Sequence, residues 1–416
     1  MNGFDDVVLG KGAVFTTDAS KTMLNNNILV VAASGAGKTY SVVEPNLLMT
    51  NHSSLIISDP KGALVKKYKQ YFMNKGYNVK TLDFIDWCGD CGYDPLDYVK
   101  TEQDALKLAN LITYSEIQMN KVSGPNDPYW NQMAEICLSA IILAVMEYSG
   151  YMRSFNTVAD MIARLGREEG GTTSLDDVFN NIYKRKGNCM AVRQWKKLSV
   201  LGSVEKTFSC VISSLGATIG RFESEELRGM IKKARRIKFE EIATEKTVVF
   251  IKCSDTDLTM YSFLNIFYGQ ALDALCKFAD KQPDGRCKIP VRMILDDFAS
   301  NVTIPEMPGI ISTVRSRNIS LMLIMQSESQ LEQIYDSDYN TIICNCDTYI
   351  FMGSNDLITA RHISERLDLP VTDILYMEIG KEYIFRRGSK PIESERFDIR
   401  ELEEYRKIGE KDISVR

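Results

Sequence analysis

The stretch VVAASGAGKTYSV, residues 30–42, places a glycine-rich loop ending in lysine between an apolar strand and a helix. Glycines let backbone N–H groups turn inward around a β-phosphate, and the start of the following helix adds partial positive charge. In this pattern the lysine neutralises β- and γ-oxygens, and the hydroxyl residue holds magnesium. We therefore predict a site for ATP and Mg²⁺, with Thr39 on the metal and the nucleotide bound by Ser34, Gly35, Ala36, Gly37, Lys38, Thr39 and Tyr40.

Ala32 stands where the full phosphate-loop pattern has its first glycine. Its Cβ is unfavourable if that position requires a positive φ, and nucleotide affinity would then fall. The alternative to nucleotide binding is an ordinary glycine-rich turn between a strand and a helix.

The chain has 416 residues, enough for two or three domains, and an ordinary globular composition with 44% hydrophobic and 25% charged residues. Its net charge of -5 provides no global positive field to attract nucleic acid, so any such contact is local. The longest apolar run, residues 136–146, is shorter than the roughly 20 residues that span a bilayer and predicts a buried helix. Without a signal peptide, we expect a cytoplasmic protein.

Apolar runs alternate with helical patterns over the first hundred residues, which predicts a parallel sheet with helices on its faces. The predicted strands are 25–34, 54–60, 77–84, 246–253, 290–298, 318–327 and 347–353, with 382–388 as an edge strand. Residues 100–216 show long helical periods without a convincing strand. The simplest layout is an α/β nucleotide-binding domain, residues 1–99 and 217–416, interrupted by an all-α domain, residues 100–216.

The run MILDDF, residues 293–298, ends an apolar strand in two carboxylates. We predict that Asp296 holds magnesium from a strand adjoining the phosphate loop. Asp297 occupies the position where many ATPases carry a glutamate base, and its side chain is one methylene shorter. The alternative is a solvated acidic turn.

Three further motifs follow strands or precede them. Asp59 and Lys61, in SDPKG, end a strand and are predicted to face the γ-phosphate, although Asp-Pro also commonly starts a helix. Gln326 closes the run SLMLIMQ, a natural position for a γ-phosphate sensor on an adjacent strand. Arg315 and Arg317 precede that strand; in a ring ATPase such arginines reach the neighbouring subunit's nucleotide, and otherwise they are surface charges.

Basic clusters occur at residues 183–187, 193–197 and 232–238. Lysine and arginine beside Tyr183 and Trp195 suggest contact with phosphates and stacking on bases. The alternative is that these charges only solvate helix faces.

In their order, the motifs resemble the coupling ATPases of type IV secretion and bacterial conjugation, the TraG/TraD-like family. The resemblance spans roughly residues 8–400. The matching stretches are NNNILVVAASGAGKT, VEPNLL, SLIISDPKGAL, VKTLDF with YDPLDYV, DPYWNQMA, LDDFAS, VRSRNIS with IMQSESQL, and YIFRRGSKPI.

This resemblance implies a RecA-like motor domain carrying an all-α domain, and a homo-hexamer at the inner face of the bacterial membrane. It also implies ATP-driven delivery of a relaxase with its single-stranded DNA to a secretion channel, with double-stranded DNA left open. Carried over by position, Lys38 and Thr39 bind phosphate and magnesium, and Asp296 is the metal-side carboxylate. Asp297 replaces the usual glutamate, Gln326 is the sensor, and one of Arg315 and Arg317 is the finger in trans.

Family members usually carry an N-terminal transmembrane segment, whereas this sequence begins a few residues before the motor domain. Either the anchor is missing from this sequence, or a separate membrane protein docks the chain; without an anchor, the isolated chain is expected to be a monomer. Two functions remain: a motor that hydrolyses ATP, and a docking receptor for relaxosome proteins whose nucleotide site is weak or idle. A GTPase or small-molecule kinase is less well supported, because no Asn-Lys-x-Asp motif occurs.

Overall fold

The computed structural model describes residues 3–120, 128–147, 152–165, 175–201, 211–213, 215–216, 219–257, 259–300 and 302–413. The chain divides into two compact units. The first comprises Met1–Ile85, Lys238–Asp255 and Ala274–Arg416, and the second comprises Asp86–Ile237 and Thr256–Asp273. The domain boundaries near residues 99 and 216 stay a prediction.

Nine strands form the central sheet of the first unit. They are β3 (Ile28–Val31), β4 (Ser54–Pro60), β5 (Asn78–Asp83), β6 (Thr247–Cys253), β7 (Val291–Leu295), β8 (Ile319–Met325), β9 (Thr348–Phe351), β10 (Lys381–Arg386) and β11 (Ile392–Glu395). Their order is β11-β10-β9-β3-β8-β7-β4-β6-β5. The pairs from β9 to β5 are parallel, whereas β10 is antiparallel to both of its neighbours. The predicted α/β fold with a mostly parallel sheet is confirmed.

Two details of the sheet differ from the prediction. The segment around β10 is not an edge strand, because β11 pairs along it. The sequence gives little sign of β11, since three of its four residues, IESE, are polar and none of them is buried. In addition, β7 does not adjoin β3: β8 lies between them.

The strands around the phosphate loop are buried on both faces. Every residue of β3, β7 and β8 is buried, as expected for parallel strands covered by helices on each side. The sequence shows this as continuous apolar runs, ILVV, VRMIL and ISLMLIM, instead of alternation. Only Arg292 and Ser320 interrupt the runs, and they lie close to each other, 3.4 Å from Nε to Oγ.

A two-stranded hairpin, β1 (Asp6–Gly10) and β2 (Ala13–Thr16), precedes the sheet. Asn46 fixes it to the helix after the phosphate loop: its side-chain amide accepts from the Val8 amide at 3.0 Å and donates to the Val8 carbonyl at 2.8 Å. The hairpin therefore packs on the same unit as the sheet.

The first unit also contains helices, which precede and follow its strands along the chain. Their bounds are Ala19–Thr22, Thr39–Val43, Glu44–Leu48, Ala63–Asn74, Phe239–Ile242, Met307–Thr313, Glu328–Tyr335, Tyr339–Cys344, Leu357–Leu367, Val371–Leu375 and Glu403–Ile413, with 3₁₀ turns at Val314–Arg317, Asp336–Asp338 and Ile399–Glu401. Thr39–Val43 is a π-helix, in which the Glu44 amide bonds to the Thr39 carbonyl. Pro45, the second residue of the next helix, has no N–H to donate.

The described part of the second unit is helical. Its elements are a 3₁₀ turn at Pro95–Tyr98 and helices Glu102–Asn120, Pro128–Glu147, Phe155–Ala163, Asp176–Lys186, Met190–Leu201, Glu225–Ile231 and the part of Tyr261–Asp280 up to residue 273. The apolar run at residues 136–146 is largely buried within its helix. Edge-to-face and tilted rings of Phe155, Phe222 and Phe263 form part of the core. No helix of the described residues combines the length and apolarity needed to cross a bilayer.

Glu382 on β10 is a buried carboxyl group, 1% exposed, and neither of its oxygens has a hydrogen-bond partner. Burial raises its pKa to about 8, although Arg396 opposes this shift. The hairpin closes over it at Gly10, where an added Cβ would lie 2.2 Å from the Glu382 Oε1 atom. The protonated acid is therefore the form that the fold accommodates.

We expect the stability of the first unit to fall as pH rises from about 4.5 towards 8, because the folded protein keeps a proton at Glu382 that the unfolded chain releases. One pKa unit corresponds to about 1.4 kcal/mol. Glu382→Gln should therefore flatten the pH dependence of the melting temperature between about pH 5 and pH 8.5. Glu393→Gln, on the neighbouring strand and exposed, is the control. An unchanged pH dependence in Glu382→Gln would contradict this assignment.

Candidate nucleotide-binding site

The phosphate loop leaves the sheet at the end of β3. Ala32 is fully buried and still paired, with its amide donating to the Met325 carbonyl at 3.0 Å. The positive φ angles of the loop belong to Gly35, at 74°, and Gly37, at 80°, and not to Ala32. The concern that Ala32 strains the loop is therefore unfounded, because the positions that need glycine have it.

Lys38 and Thr39 occupy the start of the helical segment that follows the loop. The Lys38 Nζ atom lies 3.4 Å from the Ala32 carbonyl, so the ammonium points back over the loop. Thr39 begins the π-helix and is partly exposed. The loop residues Ser34, Gly35 and Gly37 are exposed, whereas Ala36 is buried. The loop thus combines exposed residues with the lysine, the two features that phosphate binding uses.

Asp296 and Asp297 follow β7 at the same edge of the sheet. Burial raises the pKa of Asp296 to about 6, the Asp297 charge adds to the shift, and the Lys38 charge opposes it. The Asp297 amide donates to the Asp296 Oδ1 atom at 3.0 Å, and Asp297 has a φ of 54°. Lys38 and Asp296 are therefore close enough for their charges to interact. They do so across β8, not from adjoining strands as the sequence suggested.

Gln326 follows β8, the strand between the loop and Asp296. A closed chain of hydrogen bonds fixes its backbone. Ser354 Oγ donates to the Gln326 carbonyl at 3.2 Å, and the Asp356 amide donates to Ser354 Oγ at 3.2 Å. Thr359 Oγ1 donates to Asp356 Oδ2 at 2.6 Å and accepts from the Glu328 amide at 2.9 Å.

Glu328 anchors this chain of bonds in the interior. It is 1% exposed, and its carboxylate accepts from the Tyr349 hydroxyl and from His362 Nδ1, each at 2.8 Å. The loop after β9 also contacts the phosphate loop, because the Ala33 amide donates to the Gly353 carbonyl at 2.8 Å. The loops that follow β3, β8 and β9 are therefore held to one another, and this network was not predicted from the sequence.

Asp59 lies at the end of β4 and binds the start of the helix that follows. Its carboxylate is fully buried and accepts from the Leu64 amide at 3.0 Å and the Val65 amide at 2.8 Å. Burial raises its pKa, and these backbone bonds limit the shift. This geometry matches the helix-starting alternative for Asp-Pro more closely than contact with a phosphate.

Lys61 is exposed, has a φ of 76°, and forms an ion pair with Asp255 at 2.9 Å. That pairing raises the pKa of Lys61, and the charge of Asp297 adds a smaller effect of the same sign. Lys61 therefore shares the electrostatic environment of the acidic pair. Asp255 is a site neighbour that the sequence analysis missed, because it follows β6, far away in the chain.

Arg315 and Arg317 lie at the opposite edge of the sheet, since they precede β8 whereas the phosphate loop follows β3, its parallel neighbour. Arg317 is bound to Asp280, with Nε to Oδ1 at 2.7 Å, and to the Thr313 carbonyl at 3.0 Å. Arg315 is exposed and donates to the Met23 carbonyl at 3.1 Å. Neither arginine joins the nucleotide site of its own chain.

The basic clusters of the second unit are only partly available as a surface. Trp195 is 6% exposed, stacks on Phe179 with centroids 4.2 Å apart, and donates to Asp176. It therefore has no open face for a nucleic-acid base, which favours the alternative that the charges of this cluster only solvate a helix face. Tyr183 is 48% exposed, with the Lys196 ammonium 4.6 Å from its ring centre. In the third cluster, Lys233, Arg235 and Arg236 bind to carbonyls or carboxylates of the same unit.

A family model for conjugative DNA transfer by the type IV secretory system matches residues 3–368. The chain belongs to this family. The family suggested by the motifs is therefore confirmed, and membership assigns the chain to conjugative DNA transfer. No curated protein matches the chain in sequence.

Solved structures show that the fold is shared with other proteins of this kind. The bacterial conjugative coupling protein TrwB, in an unbound crystal form, has a TM-score of 0.67 at 14% identity, over 95% of this chain and 90% of that one. TrwB in complex with the ATP analogue ADPNP has a TM-score of 0.66 at 15% identity, over 89% and 85%. VirB4 of Thermoanaerobacter pseudethanolicus has a TM-score of 0.56 at 16% identity, over 95% and 98%.

We expect Thr359→Val to loosen the loop after β8, because it removes both the donor to Asp356 and the acceptor for the Glu328 amide. A net hydrogen bond is worth about 1 kcal/mol, which corresponds to roughly fivefold faster opening. Hydrogen–deuterium exchange of peptides covering residues 326–330 measures this change. Thr359→Ser keeps the hydroxyl and should exchange like the wild type; equal exchange in Thr359→Val and wild type would refute the role of the network.

Proposed function

We propose that the chain is an ATP-dependent coupling protein that delivers a relaxase–DNA substrate to a type IV secretion channel. One observation carries this proposal: a phosphate loop, a partly buried carboxylate and a glutamine follow three neighbouring parallel strands, in a chain of the conjugative DNA transfer family. The influence of Lys38 on Asp296 supports a single shared site. The similar protein TrwB has been solved with ADPNP and with ADP and Mg²⁺.

The residues present fit a magnesium–nucleotide complex. The Thr39 hydroxyl and the Asp296 carboxylate are hard oxygen ligands of the kind that Mg²⁺ prefers. The Asp297 amide donates to the Asp296 carboxylate, and a nearby cation would further offset the cost of partly burying this charge. The described residues contain no cluster of three or more acidic, histidine or cysteine groups at metal-binding distance. Phosphate oxygens and water would therefore complete the coordination, and the ion would neutralise charge on the phosphates.

In the proposed hydrolysis, the water oxygen attacks the γ-phosphorus and the bond to the β–γ bridging oxygen breaks. Asp297 takes the proton from the attacking water, and Lys38 neutralises charge on the phosphates. Gln326, held by its backbone network, senses the γ-phosphate. Lys61 lies near Asp297 and is a further candidate for contact with the γ-phosphate.

The proposed assembly is a homo-hexamer that acts at the inner face of the bacterial membrane, docked through a membrane protein. Its partners are relaxosome proteins, single-stranded or double-stranded DNA, and components of the secretion channel. Of the two candidate fingers, we favour Arg315, because Arg317 is held by Asp280 within its own chain. Position supports action in trans, since Arg315 lies at the sheet edge opposite its own phosphate loop.

We expect purified protein with DNA to hydrolyse ATP, and Lys38→Ala to reduce that rate at least a hundredfold without lowering the melting temperature, because Lys38 is partly exposed. Steady-state phosphate release, with and without single-stranded DNA, measures the activity. Removing Mg²⁺ with a chelator should have the same effect as Lys38→Ala. Equal turnover in wild type and Lys38→Ala would contradict a motor at this site.

The same assay separates the motor from a docking receptor. Tight binding of ATP with no hydrolysis, in either the presence or absence of DNA, would favour a receptor with an idle site. The left-handed backbone at Asp297 and its short side chain are the features that favour this second candidate.

We expect complementation between two inactive variants. Arg315→Ala keeps an intact phosphate loop but removes the finger, whereas Lys38→Ala keeps the finger but removes the loop lysine. Mixed in equal amounts with DNA, they should recover a fraction of wild-type ATPase activity, because some interfaces combine an intact loop with an intact arginine. Absence of recovery, while each variant still assembles, would exclude action in trans by Arg315.

A further inference from the structure

Tyr40 directly follows the magnesium-side threonine of the phosphate loop. Its side chain is 36% exposed, although it lies within the helical segment that starts at Thr39. Its hydroxyl donates to the Asp398 Oδ1 atom at 2.8 Å. The phenol ring is therefore held at both ends, by the backbone of the loop helix and by a residue 358 positions away.

Asp398 is itself fixed by Arg400. The Arg400 amide donates to Asp398 Oδ1 at 3.0 Å, and its guanidinium contacts Asp398 through Nε at 3.0 Å and Nη2 at 2.5 Å. Asp398 also starts the 3₁₀ turn Ile399–Glu401. These residues lie beyond the part of the chain that the family model matches, residues 3–368. The support for Tyr40 is thus a feature of the C-terminal segment.

The position of Asp398 relative to Asp296 indicates how a nucleotide bound at the phosphate loop would be oriented. Asp296 follows β7, which lies on one side of β3, whereas Asp398 follows β11, at the far edge on the other side. Because β11 pairs antiparallel with β10 and β10 with β9, its carboxyl end lies at the same edge as the phosphate loop. A triphosphate with its γ end towards Asp296 therefore directs its nucleoside end towards Tyr40 and Asp398.

We propose that Tyr40 is the stacking surface for the nucleotide base, and that Asp398 and Arg400 are positioning residues that hold its ring in place. This inference rests on the proposed ATP site and extends it to the nucleoside. An aromatic ring with a tethered hydroxyl loses little freedom on binding, and stacking on an exposed face favours purines, which offer the larger ring. The chemical class recognised is a purine nucleoside triphosphate.

The test compares the affinity for ATP, CTP, 2′-deoxy-ATP and inorganic tripolyphosphate, each with Mg²⁺, by isothermal titration of the full chain. Tyr40→Ala should weaken ATP about tenfold and leave tripolyphosphate within twofold, since base stacking is worth on the order of a tenfold change in affinity. The wild-type preference for ATP over CTP should disappear. Tyr40→Phe keeps the ring and should lose at most about threefold.

A separate affinity measurement tests whether Asp398 acts by positioning the Tyr40 ring. Asp398→Ala should weaken ATP about threefold in the wild-type background and have no further effect in Tyr40→Ala, because the aspartate acts only through the ring. Equal loss in both backgrounds would overturn the positioning role. If Tyr40→Ala weakens the binding of tripolyphosphate as much as that of ATP, or weakens neither, Tyr40 is not the stacking surface.

Two controls separate this inference from the proposed function. Lys38→Ala should weaken both ATP and tripolyphosphate, because it acts on the phosphates. If the wild type binds neither compound, the proposed ATP site itself fails. If 2′-deoxy-ATP binds much more weakly than ATP and Tyr40→Ala removes that difference, the ribose is the group recognised and stacking by the base is rejected.

Discussion

Parallel pairing of β3 with β8, and of β8 with β7, is the constraint on which the candidate site depends. The register places Val31 opposite Met325 and Leu295 opposite Leu323, and the Phe298 amide continues the ladder to the Ile324 carbonyl. With strands roughly 4.8 Å apart, the ends of β3 and β7 are separated by about 10 Å. That gap suits a phosphate and a metal ion placed between an ammonium and a carboxylate. Any shift in strand order would separate Lys38 from Asp296.

Two charged residues that follow parallel strands have left-handed backbones. Gly35 and Gly37 adopt positive φ at no steric cost, but Lys61 and Asp297 do so with side chains, at about 1–2 kcal/mol each. The charges of these two residues interact, since Asp297 adds to the raised pKa of Lys61. Packing elsewhere in the unit must offset the free energy of these strained conformations. The fully buried strands β7 and β8 contribute to that packing.

Much of this site could be predicted from the sequence because its signals are local. The loop glycines, the lysine and the apolar strands each depend on neighbours within a few residues, and the structure places them where the pattern indicates. Strand order is different, because no local pattern specifies that β8 lies between β3 and β7. The motif around Asp59 is local but ambiguous, because the same short sequence fits a carboxylate that caps a helix and one that faces a phosphate. The structure shows the helix cap. Asp255 and Asp398 could not be found at all, because only the folded sheet brings them near the loops.

The central claim is that backbone amides from Ser34 to Thr39 enclose a triphosphate whose metal ion faces Asp296. A crystal structure of the protein with Mg²⁺ and a non-hydrolysable ATP analogue tests it most directly. We predict the β-phosphate within hydrogen-bond distance of the loop amides, with the ion between Thr39 Oγ1 and the Asp296 carboxylate, directly or through one water. A nucleotide bound elsewhere, or a loop that keeps Lys38 on the Ala32 carbonyl while the ligand occupies another cavity, would contradict the account.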